Sequence, residues 1–114
     1  VSDLVELRKD NRFFRHWEIA NAGLESDVRK LRADSPRMHA ADVDIPLLMI
    51  HGEQDYTVEA DQTKLMDAAL ARAAKAHETL YIEGTDHYFR EDPALRKLFS
   101  TMASFLDKQL AAKP

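Results

Sequence analysis

Residues 45–52 read Ile45-Pro46-Leu47-Leu48-Met49-Ile50-His51-Gly52, an apolar run that reaches a polar residue only at its end. Alternating polar and apolar residues would mark a strand with one wet face. An unbroken run instead predicts a strand covered on both faces, as in a parallel sheet. Pro46 is compatible with this at the start of the strand, where a missing N–H donor costs little. A second short run, Thr79-Leu80-Tyr81-Ile82, is closed by Glu83-Gly84. Between the two lies the alanine-rich segment 59–76, whose residues are strong helix formers and whose Gln62, Met66, Ala69, Leu70 and Ala73 fall on one face. Strands at 45–50 and 79–82 joined by a helix at 59–76 make a βαβ unit, which implies parallel strands and a right-handed crossover. The fold class expected is α/β.

The flanks extend this unit. Asp92-Pro93 suits the start of a helix over 92–111, where Leu95, Leu98, Phe99, Met102, Phe105, Leu106 and Leu110 keep a 3.6-residue period. Upstream, Ser35-Pro36 places a proline in the first turn of another helix. Residues 1–34 read as a helical segment. Ser2-Asp3 is its first cap and Glu25 to Ala33 a short helix with Val28 and Leu31 on one face. Phe13, Phe14, Trp17 and Ile19 form a dense aromatic patch within it. The whole chain, 1–114, reads as one unit, a helical segment 1–34 followed by a βαβα unit 35–114.

Composition is that of an ordinary globular domain, 45% hydrophobic and 32% charged, with a net charge of −4. The 16 basic and 20 acidic residues are spread along the chain, which argues against a nucleic-acid surface. No apolar run approaches the roughly 20 residues needed to span a bilayer, so no membrane partner is expected. There is no cysteine, hence no disulfide or thiolate metal site to report on compartment.

In a βαβ unit the loops after the two strands leave the same edge of the sheet, about 4.8 Å apart when the strands are neighbours. Ligands of open α/β sheets bind at that edge. Here the first loop carries Asp55 and the second carries His87. An Asp that accepts a proton from one ring nitrogen of a His fixes the tautomer and supports the positive charge the His gains as a base. The order Asp then His on successive strand ends is that of the α/β-hydrolases. Two plainer readings stand beside this one. Asp55 suits a cap for the helix that follows, and a lone loop histidine is commonly structural. Composition and spacing leave these alternatives level. A metal site built from His51, Asp55 and His87 is disfavoured, because His51 at a strand end is expected to point away from the loops and no further ligand pair is spaced for zinc.

Residues 35–110 resemble the C-terminal part of the catalytic domain of the prolyl oligopeptidase family of serine peptidases, which includes dipeptidyl- and acylaminoacyl-peptidases. The matching features occur in order: Ser35-Pro36, His39-Ala40, Pro46 to Gly52, Asp55 with Val58, Met66 with Ala69-Leu70, and Asp86-His87 with Phe89. The resemblance implies that Asp55 is the acid and His87 the base of a Ser-Asp-His triad. It also implies hydrolysis of peptide or ester bonds through an acyl-enzyme, without a cofactor. Tyr88 departs from the pattern, standing where the family usually has glycine, and so does Glu59, where proline is common.

The nucleophile elbow of that fold, Gly-x-Ser-x-Gly, cannot occur in a chain whose glycines are Gly23, Gly52 and Gly84. The serine and the oxyanion hole are therefore expected upstream of Val1, in a longer protein, and the chain alone is expected to be inactive. The bare strand edge and the aromatic patch predict self-association. The alternative is a small stand-alone interaction domain that uses the same edge and patch. Substrate specificity and location, cytoplasmic or periplasmic, are not legible.

Overall fold

The computed structural model describes residues 1–10 and 28–111. The described elements are α1 (Leu4–Asp10), α2 (Val28–Ala33), a 3-10 helix (Pro36–Asp42), β1 (Leu47–Gly52), α3 (Asp61–Arg72), β2 (His77–Ile82) and α4 (Asp92–Ala111). The aromatic patch Phe13, Phe14, Trp17 and Ile19, and the Glu25 start of the second helix, lie outside the described residues.

β1 and β2 pair in parallel, in register from Leu47 opposite His77 to Gly52 opposite Ile82. The fold is the expected α/β arrangement of a βαβ unit with a following helix. Alternation along β1 assigns its two faces. His51 touches Thr63 of α3, whereas Leu48 and Ile50 line a groove with Met102, Phe105 and Leu106 of α4. The two helices therefore cover opposite faces, which is why the run could dispense with polar positions.

Three elements differ in their bounds from the sequence reading. β1 begins at Leu47 rather than Ile45, since Pro46 has no N–H for the ladder and Ile45 is 67% exposed. It also runs on through His51 and Gly52. β2 begins at His77, two residues before Thr79. α3 stops at Arg72, although helix-forming residues continue to Ala76. Lys75 N–H bonds the Leu70 carbonyl and Ala74 N–H bonds the Ala71 carbonyl, with Ala74 at φ 53. That is a Schellman end with alanine where glycine is usual, so the stop left no mark in the sequence. The C-terminal helix has the predicted bounds, 92–111.

α3 is the centre of the packing. Leu70 is fully buried, and Gln62, buried at the other end of the helix, holds the N-terminus. Its Oε1 accepts the N–H groups of Ser2 and Asp3 at 2.9 and 2.8 Å, and its backbone carbonyl accepts the Ser2 hydroxyl. Asp3 caps α1 through Glu6 N–H at 2.9 Å, as expected of that position. Ser35 ties α1 to α2: its hydroxyl accepts Leu4 N–H and donates to the Leu31 carbonyl. Leu7 and Leu31 form a small separate core with Leu4 and Val5 around them.

A polar staple joins α3 to β2. His77 Nε2 donates to Asp67 Oδ1 at 2.7 Å and Nδ1 donates to the Lys75 carbonyl at 2.8 Å. A carbonyl and a carboxylate both accept, so the two bonds are made together only when the ring carries protons on both nitrogens. The Lys75 carbonyl is the main cause raising the His77 pKa above 6.5; burial opposes it, and the bond and charge of Asp67 add to it. A raised folded-state value means a stabilising contribution complete below pH 6.5 and lost as pH rises through the folded value. Thermal denaturation between about pH 6 and about pH 8 should therefore show the wild type losing stability relative to His77→Gln. Parallel pH profiles for the two proteins would overturn this.

Candidate active site

The loops after β1 and β2 are laced together by backbone bonds. Glu53 N–H bonds the Ile82 carbonyl, Gln54 N–H the Thr85 carbonyl at 2.9 Å, and Asp55 N–H closes a turn on the Gly52 carbonyl. The approach is so close that a Cβ on Gly52 would overlap the Thr85 carbonyl and lie 2.6 Å from that of Asp86. Gly84 at φ 71 begins the second loop, in the left-handed region that glycine enters without a steric cost.

This approach brings together the two residues singled out from their strand ends. His87 Nδ1 lies 2.7 Å from Asp55 Oδ2. A carboxylate oxygen accepts, so Nδ1 carries the hydrogen and Nε2 is the free nitrogen of the neutral ring. Among the described residues nothing bonds Nε2. The His87 side chain is 42% exposed, whereas that of Asp55 is 4% exposed.

Asp55 divides its oxygens between two tasks. Oδ1 accepts Thr57 N–H at 2.9 Å and Val58 N–H at 2.8 Å, and Oδ2 faces His87. The capping alternative is thus relocated: Asp55 holds its own turn, while α3 starts at Asp61, beyond its reach. Burial is the largest influence on its acidity and raises its pKa. The Val58 N–H, the bond to His87 and the Thr57 N–H together outweigh burial, so the net value falls below 3.8 and the group stays an anion.

The expectation that His51 points away from the loops is overturned. β1 continues past Ile50, so His51 lies within the ladder and faces α3 and the first loop. Its Nδ1 is 2.6 Å from Thr63 Oγ1, and its Nε2 is 2.8 Å from the Val58 carbonyl and 3.2 Å from Asp55 Oδ2. The hint in the sequence was alternation, since His51 shares a face with Leu47 and Met49. Among the described residues, no group of three or more His, Asp or Glu side chains is arranged to hold a metal ion.

Tyr88 does not cover the base. Its ring meets that of His87 edge-on, with centroids 5.4 Å apart, and is 59% exposed. The Arg90 guanidinium lies 4.5 Å from the centre of the same ring. Phe89 follows at φ 51, a strained value for a non-glycine residue, and lines a cleft of about 450 Å³ together with Asp55, His87, Val58 and Met66.

The chain carrying this site is similar to known proteins. The sequence pattern of the prolyl oligopeptidase family matches residues 1–113, and the chain belongs to that family. It is 32% identical over 75 residues to the uncharacterized peptidase YuxL of Bacillus subtilis, covering 66% of this chain and 11% of that protein. It is 28% identical over 102 residues to dipeptidyl-peptidase 5 of Porphyromonas gingivalis, covering 86% of this chain and 15% of that protein. The chain thus spans only 11% to 15% of the length of these curated relatives. Among solved structures, a puromycin-hydrolyzing peptidase of Mycobacterium tuberculosis superposes on 92% of this chain with a TM-score of 0.78 at 24% identity, over 17% of its own chain. A mutant of puromycin hydrolase complexed with PGG superposes on 99% with a TM-score of 0.84 at 20% identity, over 18% of its own chain. At those identities the likeness is one of fold.

Gly52→Ala tests the approach on which the site depends. The methyl group must displace the 85–86 backbone, so the variant should lose about 1–3 kcal/mol in denaturant unfolding. The ring signals of His87 should shift with it. Wild-type stability with unchanged His87 signals would show that the loops have slack.

Proposed function

We propose that this chain supplies the acid and the base of a Ser-Asp-His triad in a longer serine peptidase, with Asp55 as the acid and His87 as the base. The observation that carries the reading is the 2.7 Å contact between His87 Nδ1 and a buried carboxylate, with Nε2 open on the other side of the ring. In that arrangement Nε2 takes the proton of a serine hydroxyl as it attacks a carbonyl. It then returns the proton to the leaving amine or alcohol, and water releases the acyl group by the same exchange in reverse. Asp55 keeps the ring in the Nδ1–H tautomer and stabilises the imidazolium between the two transfers. No cofactor enters this sequence of steps. The substrate class is a peptide, or an ester of similar shape.

No Gly-x-Ser-x-Gly is present to place a nucleophile, so the chain by itself should not turn over substrate. Purified chain assayed with a nitrophenyl ester or an aminoacyl-anilide should match buffer; turnover abolished by His87→Ala would overturn this. In the longer protein, Asp55→Asn should lower kcat about 10⁴-fold through the wrong tautomer, with little change in KM. Full activity of that variant would remove Asp55 from the triad.

The uncovered surface supports a second part of the proposal, that the isolated chain self-associates. Among the described residues β1 has a partner on one side only, and Phe99, Met102, Leu106 and Leu110 of α4 are 40% to 66% exposed. An unpaired apolar edge recruits another chain. Light scattering should give a mass that rises with concentration; a constant monomer mass would contradict it.

A further inference from the structure

His51 is buried at the end of β1, and each of its ring nitrogens has a partner. A carbonyl only accepts, so the contact to the Val58 oxygen requires a hydrogen on Nε2. In the neutral ring, Nδ1 then accepts the Thr63 hydroxyl. The hydrogen on Nε2 goes to the Val58 carbonyl at 2.8 Å, and Asp55 Oδ2 lies 3.2 Å from the same nitrogen. Residue 58 is consequently gripped from both ends. Its N–H holds Asp55 Oδ1 and its carbonyl is held by His51.

We infer that His51 is a positioning residue for the pair Asp55–His87. It closes a ring that runs from His51 to Val58, from Val58 to Asp55 Oδ1, and from Asp55 Oδ2 back to the His51 imidazole. Both oxygens of the acid are thereby fixed in orientation. Oδ2 presents one face to His87 while the ring nitrogen of a second imidazole, bonded to the Val58 carbonyl, stands 3.2 Å from it on the β1 side. The Thr63 hydroxyl holds the His51 ring in the tautomer that this requires, and so refers the orientation of the acid to α3. The inference rests on the reading of Asp55 and His87 as acid and base. It adds a residue that touches neither the substrate nor the reacting atoms and acts through Asp55.

Ring ¹⁵N NMR on the chain tests it without needing activity. In the wild type, His51 should carry a hydrogen on Nε2 and His87 should carry one on Nδ1. His51→Phe keeps a ring but has no donor. It should lower the Nδ1–H to Nε2–H tautomer ratio of His87 by roughly tenfold, the order of one charge-assisted hydrogen bond. His51→Gln, which returns an N–H near the Nε2 position, should restore most of the ratio. An unchanged His87 ratio in His51→Phe would overturn the inference and assign His51 to joining β1 and α3 alone. So would a ratio equally low in both variants. If His51→Phe does not fold, the wild-type spectrum decides: a hydrogen on Nε2 of His51 supports the inference and a bare Nε2 overturns it. Asp55→Asn separates this from the underlying reading. If that variant leaves His87 unchanged, the acid–base pairing itself fails.

Discussion

Where β1 ends, the carbonyls of Thr85 and Asp86 pass over residue 52 at a distance that leaves no room for a side-chain carbon. The parallel register fixes the height of this crossing by setting Gly52 opposite Ile82, and the bonds from Glu53 and Gln54 to Ile82 and Thr85 continue the ladder into the loops. The loops are therefore an extension of the sheet. That continuation brings a buried carboxylate and a half-exposed imidazole to a 2.7 Å contact in so small a sheet.

The electrostatics of Asp55 follow from that packing. Burial alone would favour a neutral carboxyl, which would not support a cation on His87. Two backbone N–H groups on one oxygen and an imidazole N–H on the other outweigh burial and keep the charge. The backbone donors, Thr57 and Val58, lie two and three residues after the acid, so the anion is stabilised locally. His87 is left to face outward with its second nitrogen available.

Much of this was legible in the sequence for definite reasons. The unalternating run at 47–50, the alanine-rich helix and the second strand predicted the parallel unit because each has a period or composition of its own. The strand-end positions of Asp55 and His87 followed from topology, and the order of motifs pointed to the prolyl oligopeptidase family. Boundaries were less legible where no residue marks them: α3 ends on Ala74 in a left-handed conformation that alanine does not advertise. His51 was misjudged because the strand was closed two residues early, and that turned a ladder position into a loop position. The two oxygens of Asp55 could not be separated from sequence, since a cap and an acid look alike until each oxygen is seen with its own partners.

The first loop also divides its side chains from its backbone. Glu53, Gln54 and Tyr56 are exposed, and it is their chain atoms, or none at all, that hold the loop in place. Tyr56 is 81% exposed directly beside the buried acid. Exchanging these three side chains would leave the bonds from Glu53 and Gln54 to the second loop in place, because peptide groups make them. Three side chains thus stand in solvent next to a carboxylate that is almost wholly enclosed, and only the backbone between them is held.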